Sequence, residues 1–156
     1  MNYKEPNYSD LLDNKSLKKE KSIGFDQINR LISRAIIDIE KAEKQLNDDL
    51  PTAMDLAYKS MFHASNALIR SQGYRPGSFQ QHRGVVEAIR RSLGDEAKIV
   101  IKKFDKLRKA RNEFEYQAIF DSSKTEIRSE IKTAKELVRL VRIYIEKKNP
   151  QQKLLK

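Results

Sequence analysis

Cysteine is absent from the chain. That single absence removes disulfides, thiolate catalysis, iron–sulfur clusters and every cysteine-based zinc site. The only histidines are His63 and His82, too few for a multi-histidine metal site within one chain, so neither a metal nor a cofactor is expected. Five glycines and four prolines argue against a loop-rich or all-β protein. No phosphate loop, dinucleotide fingerprint, metal-ligand helix motif or nucleophile elbow is present. No apolar run approaches the length needed to span a bilayer, and MNYKEPNYSD is not a signal peptide. These absences lead to the expectation of a small, soluble, cytoplasmic protein without membrane contact.

What the chain does contain is charge and helical periodicity. Hydrophobic residues make up 38% of its 156 positions and charged residues 35%, enough apolar material for one core. Lys and Arg number 32 against 22 Asp and Glu, a balance of +10. The excess is uneven. Between 36 and 56 the acids Asp38, Glu40, Glu43, Asp48, Asp49 and Asp55 outnumber Lys41 and Lys44. Between 102 and 111, six cations face only Asp105. A localised positive stripe suits phosphate-bearing partners, although a solvated helix face has the same composition.

Apolar residues recur at spacings of three and four nearly throughout. Ile28, Leu31, Ile32, Ala35, Ile39 and Ala42 predict a first long helix, with Phe25-Asp26 as its apolar staple and N-cap. Pro51 suits the first turn of a second helix running to about Gln72, central by its broad apolar surface, with Gly73 as its C′ residue. Tyr74 to Ser78 has the composition of a turn. A third helix runs from about Gln81 to Leu93 and a fourth begins near Asp95. Asp121-Ser122-Ser123 caps a long last helix that stops at Asn149-Pro150. Residues 1–24 are expected to be an N-terminal extension with a short helical turn around Ser9 to Leu17. Residues 25–149 form the bundle, and 150–156 a frayed tail. With no strand-like alternation, the predicted fold is an all-α, up-and-down bundle of four to five helices.

The fourth helix holds an anomaly. Val100, Phe104, Leu107, Arg111 and Phe114 follow a four, three, four, three spacing, so Arg111 falls inside an apolar seam. A buried cation needs a partner. Three readings stand: an ion pair with Glu115 or an acid on a neighbouring helix, a polar strip at a self-association interface, or an anion site. Arg108 lies one turn earlier, and two guanidinium groups beside Asn112 would make a bidentate phosphate cradle. His82, with Arg83 beside it, stands near the start of the third helix, where backbone dipoles favour anions; a capping or solvent-facing role is equally open. His63 is read as a packed or hydrogen-bonded residue.

Two stretches carry a resemblance. AYKSMFHASNALIRSQGYRP (57–76) with QHRGVVEAI (81–89) resembles the second helix and following turn of HEPN-domain proteins, and FDKLRKARNEFEY (104–116) resembles their signature helix. The N-terminal YSDLLDNKSLKKEKSIGFDQI is similar to the lead-in of small, stand-alone prokaryotic members. The resemblance implies a homodimer with signature helices close together and Arg111 lining a cleft at the axis. Members that cut RNA have an Arg, four to six residues, then a His; here that window holds Tyr116, Gln117 and Ala118. Metal-independent cleavage needs a group to move protons at the 2′-hydroxyl, a task for which a phenol, with a reference pKa of about 10, suits less well than imidazole.

The expectation is therefore a degenerate, non-catalytic HEPN protein of a toxin–antitoxin-like or stress and defence module. It would bind RNA, a nucleotide or a minimal nucleotidyltransferase partner through Arg108, Arg111, Asn112, His82 and Arg83. By the same resemblance, such a partner would modify Tyr116. The alternative is an endoribonuclease toxin using Arg111 with Tyr116, or with His82 or His63 as a displaced imidazole.

Overall fold

Eleven residues of one helix are buried, and that helix organises the molecule. The computed structural model describes residues 5–21 and 23–149, so the expected frayed tail at 150–156 lies outside the described residues. In chain order the elements are α1 (Ser9–Asp13), β1 (Leu17–Lys19), α2 (Phe25–Gln45), α3 (Leu50–Ser71), β2 (Tyr74–Pro76), α4 (Gln81–Leu93), α5 (Lys98–Gln117) and α6 (Lys124–Lys148). A single 3-10 turn, Gly94–Ala97, joins α4 to α5. Helix α3 touches α2, α4, α5 and α6, while α2 also packs on α6, and α5 on both α4 and α6.

Small side chains set the α2–α3 contact. Ala35 and Ala42 of α2 and Ala53, Ala57 and Ala64 of α3 are fully buried, so the two backbones approach closely. Ser60 is equally buried, and its hydroxyl donates to the Ala35 carbonyl at 2.8 Å, which satisfies the polar group inside the interface. Large residues fill the rest. Met54, Met61, Leu68, Ile89, Phe104 and Ile127 are each fully or almost fully buried, and each contributes about 1.5–3 kcal/mol of transfer free energy.

The helix ends follow local chemistry. Asp49 caps α3 by accepting from the Thr52 N–H at 3.2 Å, with Pro in the first turn. Ser123 and Glu126 form a reciprocal capping box at α6. The start of α2 departs from expectation: Gly24 is its N-cap, without a side-chain bond, and Asp26 lies inside the first turn. There its charge still complements the exposed N–H groups.

A second difference lies ahead of α2. Strand β1 pairs antiparallel with β2, Leu17 opposite Pro76 and Lys19 opposite Tyr74, so the stretch read as a turn is partly strand. Three residues per strand are too few to show alternation in the sequence. The pairing continues through Gly77, whose N–H donates to the Ser16 carbonyl at 2.8 Å. A Cβ at Gly77 would lie 2.0 Å from the Lys15 carbonyl oxygen, so the approach requires glycine. Residues 5–21 thus form a strap bound to the bundle. Tyr8 is 2% exposed, and its hydroxyl lies 2.5 Å from Ser92 Oγ and donates to Gln72 Oε1 at 2.9 Å. Gln72 in turn donates to the Tyr144 hydroxyl at 2.9 Å, tying strap, α3, α4 and α6 together.

Candidate functional site

Arg111 does find a partner, and it is on a neighbouring helix. Its Nε donates to Asp55 Oδ1 of α3 at 3.0 Å, and its guanidinium lies 5.2 Å from the centroid of the Tyr58 ring. Asp55 and Tyr58 are one helical turn apart on α3, so a single face presents both the acid and the ring beneath the cation. Asp55 also pairs with Lys59 at 2.8 Å, one turn further on. The side chains of Arg111 and Asp55 keep 20% and 30% exposure, which places this pair at the solvent boundary. Burial alone would raise the Asp55 pKa, but the bonds from Lys59 and Arg111 outweigh it and hold the carboxyl below its usual range.

His82 completes this cluster from α4. Its Nδ1 lies 2.5 Å from the Tyr58 hydroxyl, and its ring stacks at 4.7 Å from Phe62. Burial pushes the imidazole pKa down, and the positive charges of Arg111 and Arg108 push it further. The Tyr58 phenol is pushed upward, chiefly by its own burial, and stays protonated. In the tautomer in which the phenol donates to Nδ1, the ring proton is on Nε2 and the neutral imidazole keeps no free lone pair.

Arg108 diverges from Arg111. It donates through Nε to Asp105 at 2.9 Å within α5 and faces a groove between α4 and α5. The two guanidinium groups are each held by an acid, so the expected cradle beside half-buried Asn112 is not assembled in the single chain. Arg83 is exposed and lines the same groove as Arg108. Tyr116 is 81% exposed. Five residues beyond Arg111 on a helix it points about 140° away, and the structure does not bring it into the cluster. His63 turns to α2, where its Nδ1 lies 3.0 Å from the buried carboxylate of Asp38, as its packed reading expected.

The HEPN domain family model matches residues 28–144. The chain belongs to the HEPN domain family. Comparison with curated proteins gave no match. HEPN domains are nucleotide- and RNA-associated and include ribonucleases and toxin–antitoxin members. Within this HEPN domain, sequence reasoning missed Asp55 as the partner of Arg111 and Tyr58 as the holder of His82. Both signals were present. Asp55, Tyr58 and Phe62 follow a helical spacing on α3, and an Arg on an apolar seam had to be matched by an acid. No helix among the described residues is long and apolar enough to cross a membrane. Among them, no cluster of His, Asp and Glu is placed to hold a metal ion.

Proposed function

We propose that this HEPN domain is a non-nucleolytic binding module that takes RNA or nucleotide phosphates at the Arg111 cluster. The observation that carries this reading is the state of the one imidazole beside Arg111. Burial and the two arginines hold the His82 pKa down, and its Nδ1 lies 2.5 Å from the Tyr58 hydroxyl; in the tautomer in which Tyr58 donates, the ring proton is on Nε2. Such a ring donates a hydrogen bond to a phosphate oxygen but cannot accept the 2′-hydroxyl proton. Arg111 supplies the charge, and Asp55 fixes its direction. In the proposed assembly two chains meet through α5, so that two Arg111 side chains share one cleft. Support comes from apolar surface at the α5 exit, where Tyr116 is 81% and Ile119 47% exposed. An exposed Tyr116 also fits a minimal nucleotidyltransferase partner: its phenol oxygen would accept a nucleotidyl group from a nucleoside triphosphate with release of pyrophosphate.

A second reading, an endoribonuclease, draws on the proximity of His82 to Arg111. It requires Tyr58 to release Nδ1 so that the imidazole can move a proton. Incubation of purified protein with single-stranded and structured RNA separates the two. The expected result is binding without cleavage in the wild type, and weaker binding, again without cleavage, in Arg111→Ala. Cleavage by the wild type that disappears in both Arg111→Ala and His82→Gln would overturn the binding-module reading. A single-chain mass by light scattering across the micromolar range would overturn the shared cleft.

A further inference from the structure

On the other side of Arg108 lies a separate open groove of about 1200 Å³ between α4 and α5, floored by the strap. Gly84 makes that floor: a Cβ there would meet Ser16 Oγ and its carbonyl oxygen at 2.8 Å, so the strap lies directly on the α4 backbone. Seven cations and four acids line the groove. Three of the acids are already neutralised. Asp10 is held bidentately by Arg91 at 2.6 and 2.8 Å, Glu87 by Arg90 and Arg91, and Asp105 by Arg108 and Lys109. Arg83, Lys98 and Lys102 make no ion pair among the described residues, and Lys109 keeps 67% side-chain exposure. The unmatched charge is therefore positive, and it is spread along the groove.

We propose that this groove is a second binding surface, one that takes a nucleic-acid strand by its phosphates alone. The spacing of the cations fits. Lys98, Lys102 and Lys109 rise along one face of α5, spanning about 16 Å, the length of about five phosphates at double-helical rise. Among the described residues no aromatic lines the groove, so they offer no stacking platform for bases, and its apolar floor residues Leu11, Val86 and Ile101 are each no more than 6% exposed. An acidic peptide would need anchoring pockets that this floor lacks. The bidentate hold of Asp10 on Arg91 places a carboxylate where a phosphate would sit, so the strap supplies a competing anion at the groove edge. The surface is distinct from the Arg111 cluster and goes beyond the function proposed above.

The test is fluorescence anisotropy of a short labelled RNA, titrated with full-length protein over a series of KCl concentrations. Comparison is among wild type, Lys98→Gln/Lys102→Gln and Arg111→Ala. With about four phosphate contacts in the groove, the wild-type slope of log affinity on log salt is at least about −3 in magnitude for a single strand. The double variant is expected to bind weakly, with the slope smaller by about 1–2, while unfolding as the wild type does. Oligo(U) and oligo(A) are expected to bind alike. Arg111→Ala reports on the other site, and its failure leaves the groove in place. Unchanged affinity and slope in Lys98→Gln/Lys102→Gln would overturn the groove. So would a strong preference for one base that persists in Arg111→Ala. Inorganic polyphosphate and polyglutamate serve as competitors: displacement by polyphosphate supports phosphate recognition. Binding of polyphosphate without RNA, or equal displacement by polyglutamate, would overturn a nucleic-acid surface.

Discussion

Replacing Asp55 with Asn should move stability and ligand affinity in opposite directions. The change keeps the shape of the side chain and removes the charge that faces Arg111 at 3.0 Å and Lys59 at 2.8 Å. A fully buried pair broken on one side costs about 3–5 kcal/mol, and an exposed pair is worth about 0–1 kcal/mol. Asp55 and Arg111 lie between, at 30% and 20% exposure, so a loss of about 1–2 kcal/mol is expected. For a domain of this size that lowers the midpoint of thermal unfolding by about 3–6 °C. The pH dependence has a definite sign. A carboxyl held below its usual range contributes stability above the unfolded pKa of about 4, lost as pH falls through the folded value. The gap between wild type and Asp55→Asn should thus be full at neutral pH and close in acid.

Affinity should respond the other way. A phosphate docked on Arg111 would lie about 6 Å from the Asp55 carboxylate, a repulsion of about 1–3 kcal/mol at effective dielectrics between water and a protein surface. Taking the low end for a solvent-facing site, Asp55→Asn should tighten RNA binding about fivefold. Anisotropy titration and a thermal melt on the same sample give both numbers. Adding Arg111→Gln to Asp55→Asn should abolish the gain. Affinity that stays flat or drops while the melt shifts would refute the reasoning, because Arg111 would then be a structural cation with no ligand of its own.

Glu130 should act as a stabilising target in alkaline solution. Burial raises its pKa to about 7, helped by Glu126 and opposed by Lys106. A carboxyl so raised favours folding when protonated, and that contribution is lost as pH rises through 7. Glu130→Gln should therefore gain about 1–2 kcal/mol at pH 8, after discounting for solvent access, and nothing below the unfolded pKa of 4.5; a denaturant series at both pH values checks it. The His82 ring should titrate at higher pH in Arg111→Gln than in wild type, read by NMR, since one of the two guanidinium charges opposing its protonation is gone; no change would mean the two groups do not communicate. Ala118 closes α5 with φ at 55°, a conformation glycine adopts without strain, so Ala118→Gly should raise stability by about 0.5–1 kcal/mol.

The helices were legible because their information is local. The spacing from Ile28 to Ala42, the Pro51 start, Gly73 and Gly94 at positive φ, and the Ser123 cap each act within a few residues, and each stands where the periodicity placed it. The strap was not legible. Its strands are short, and what holds it is distant: Tyr8 bonds residues more than sixty positions away, and Gly77 and Gly84 are glycines because Lys15 and Ser16 pass over them. Neither glycine has a positive φ, so no backbone signal distinguished it from a surface glycine. The α2 N-cap failed for a different reason. Asp26 has the right chemistry two residues too late, and only the backbone at Gly24 settles which residue begins the helix.

The site was half legible, and the division is physical. An Arg on an apolar seam demands a counter-charge, so its anomaly was visible from Val100 to Phe114 alone. Which acid answers it depends on the rotation of α3 against α5, which no local pattern encodes. That rotation also decides the role of His82. With Tyr58 turned toward α4, the phenol meets Nδ1. Had Tyr58 pointed away from α4, His82 Nδ1 would have lost this partner beside the two arginines. The same helix rotation divides Arg108 from Arg111, directing one to the α4–α5 groove and the other to Asp55. A positive stripe that looks continuous along the sequence therefore becomes two surfaces: one charge-balanced and aromatic, the other cationic and without aromatics. The two proposals follow that division: a phosphate taken at Arg111 on the first surface, and a strand followed by its phosphates on the second.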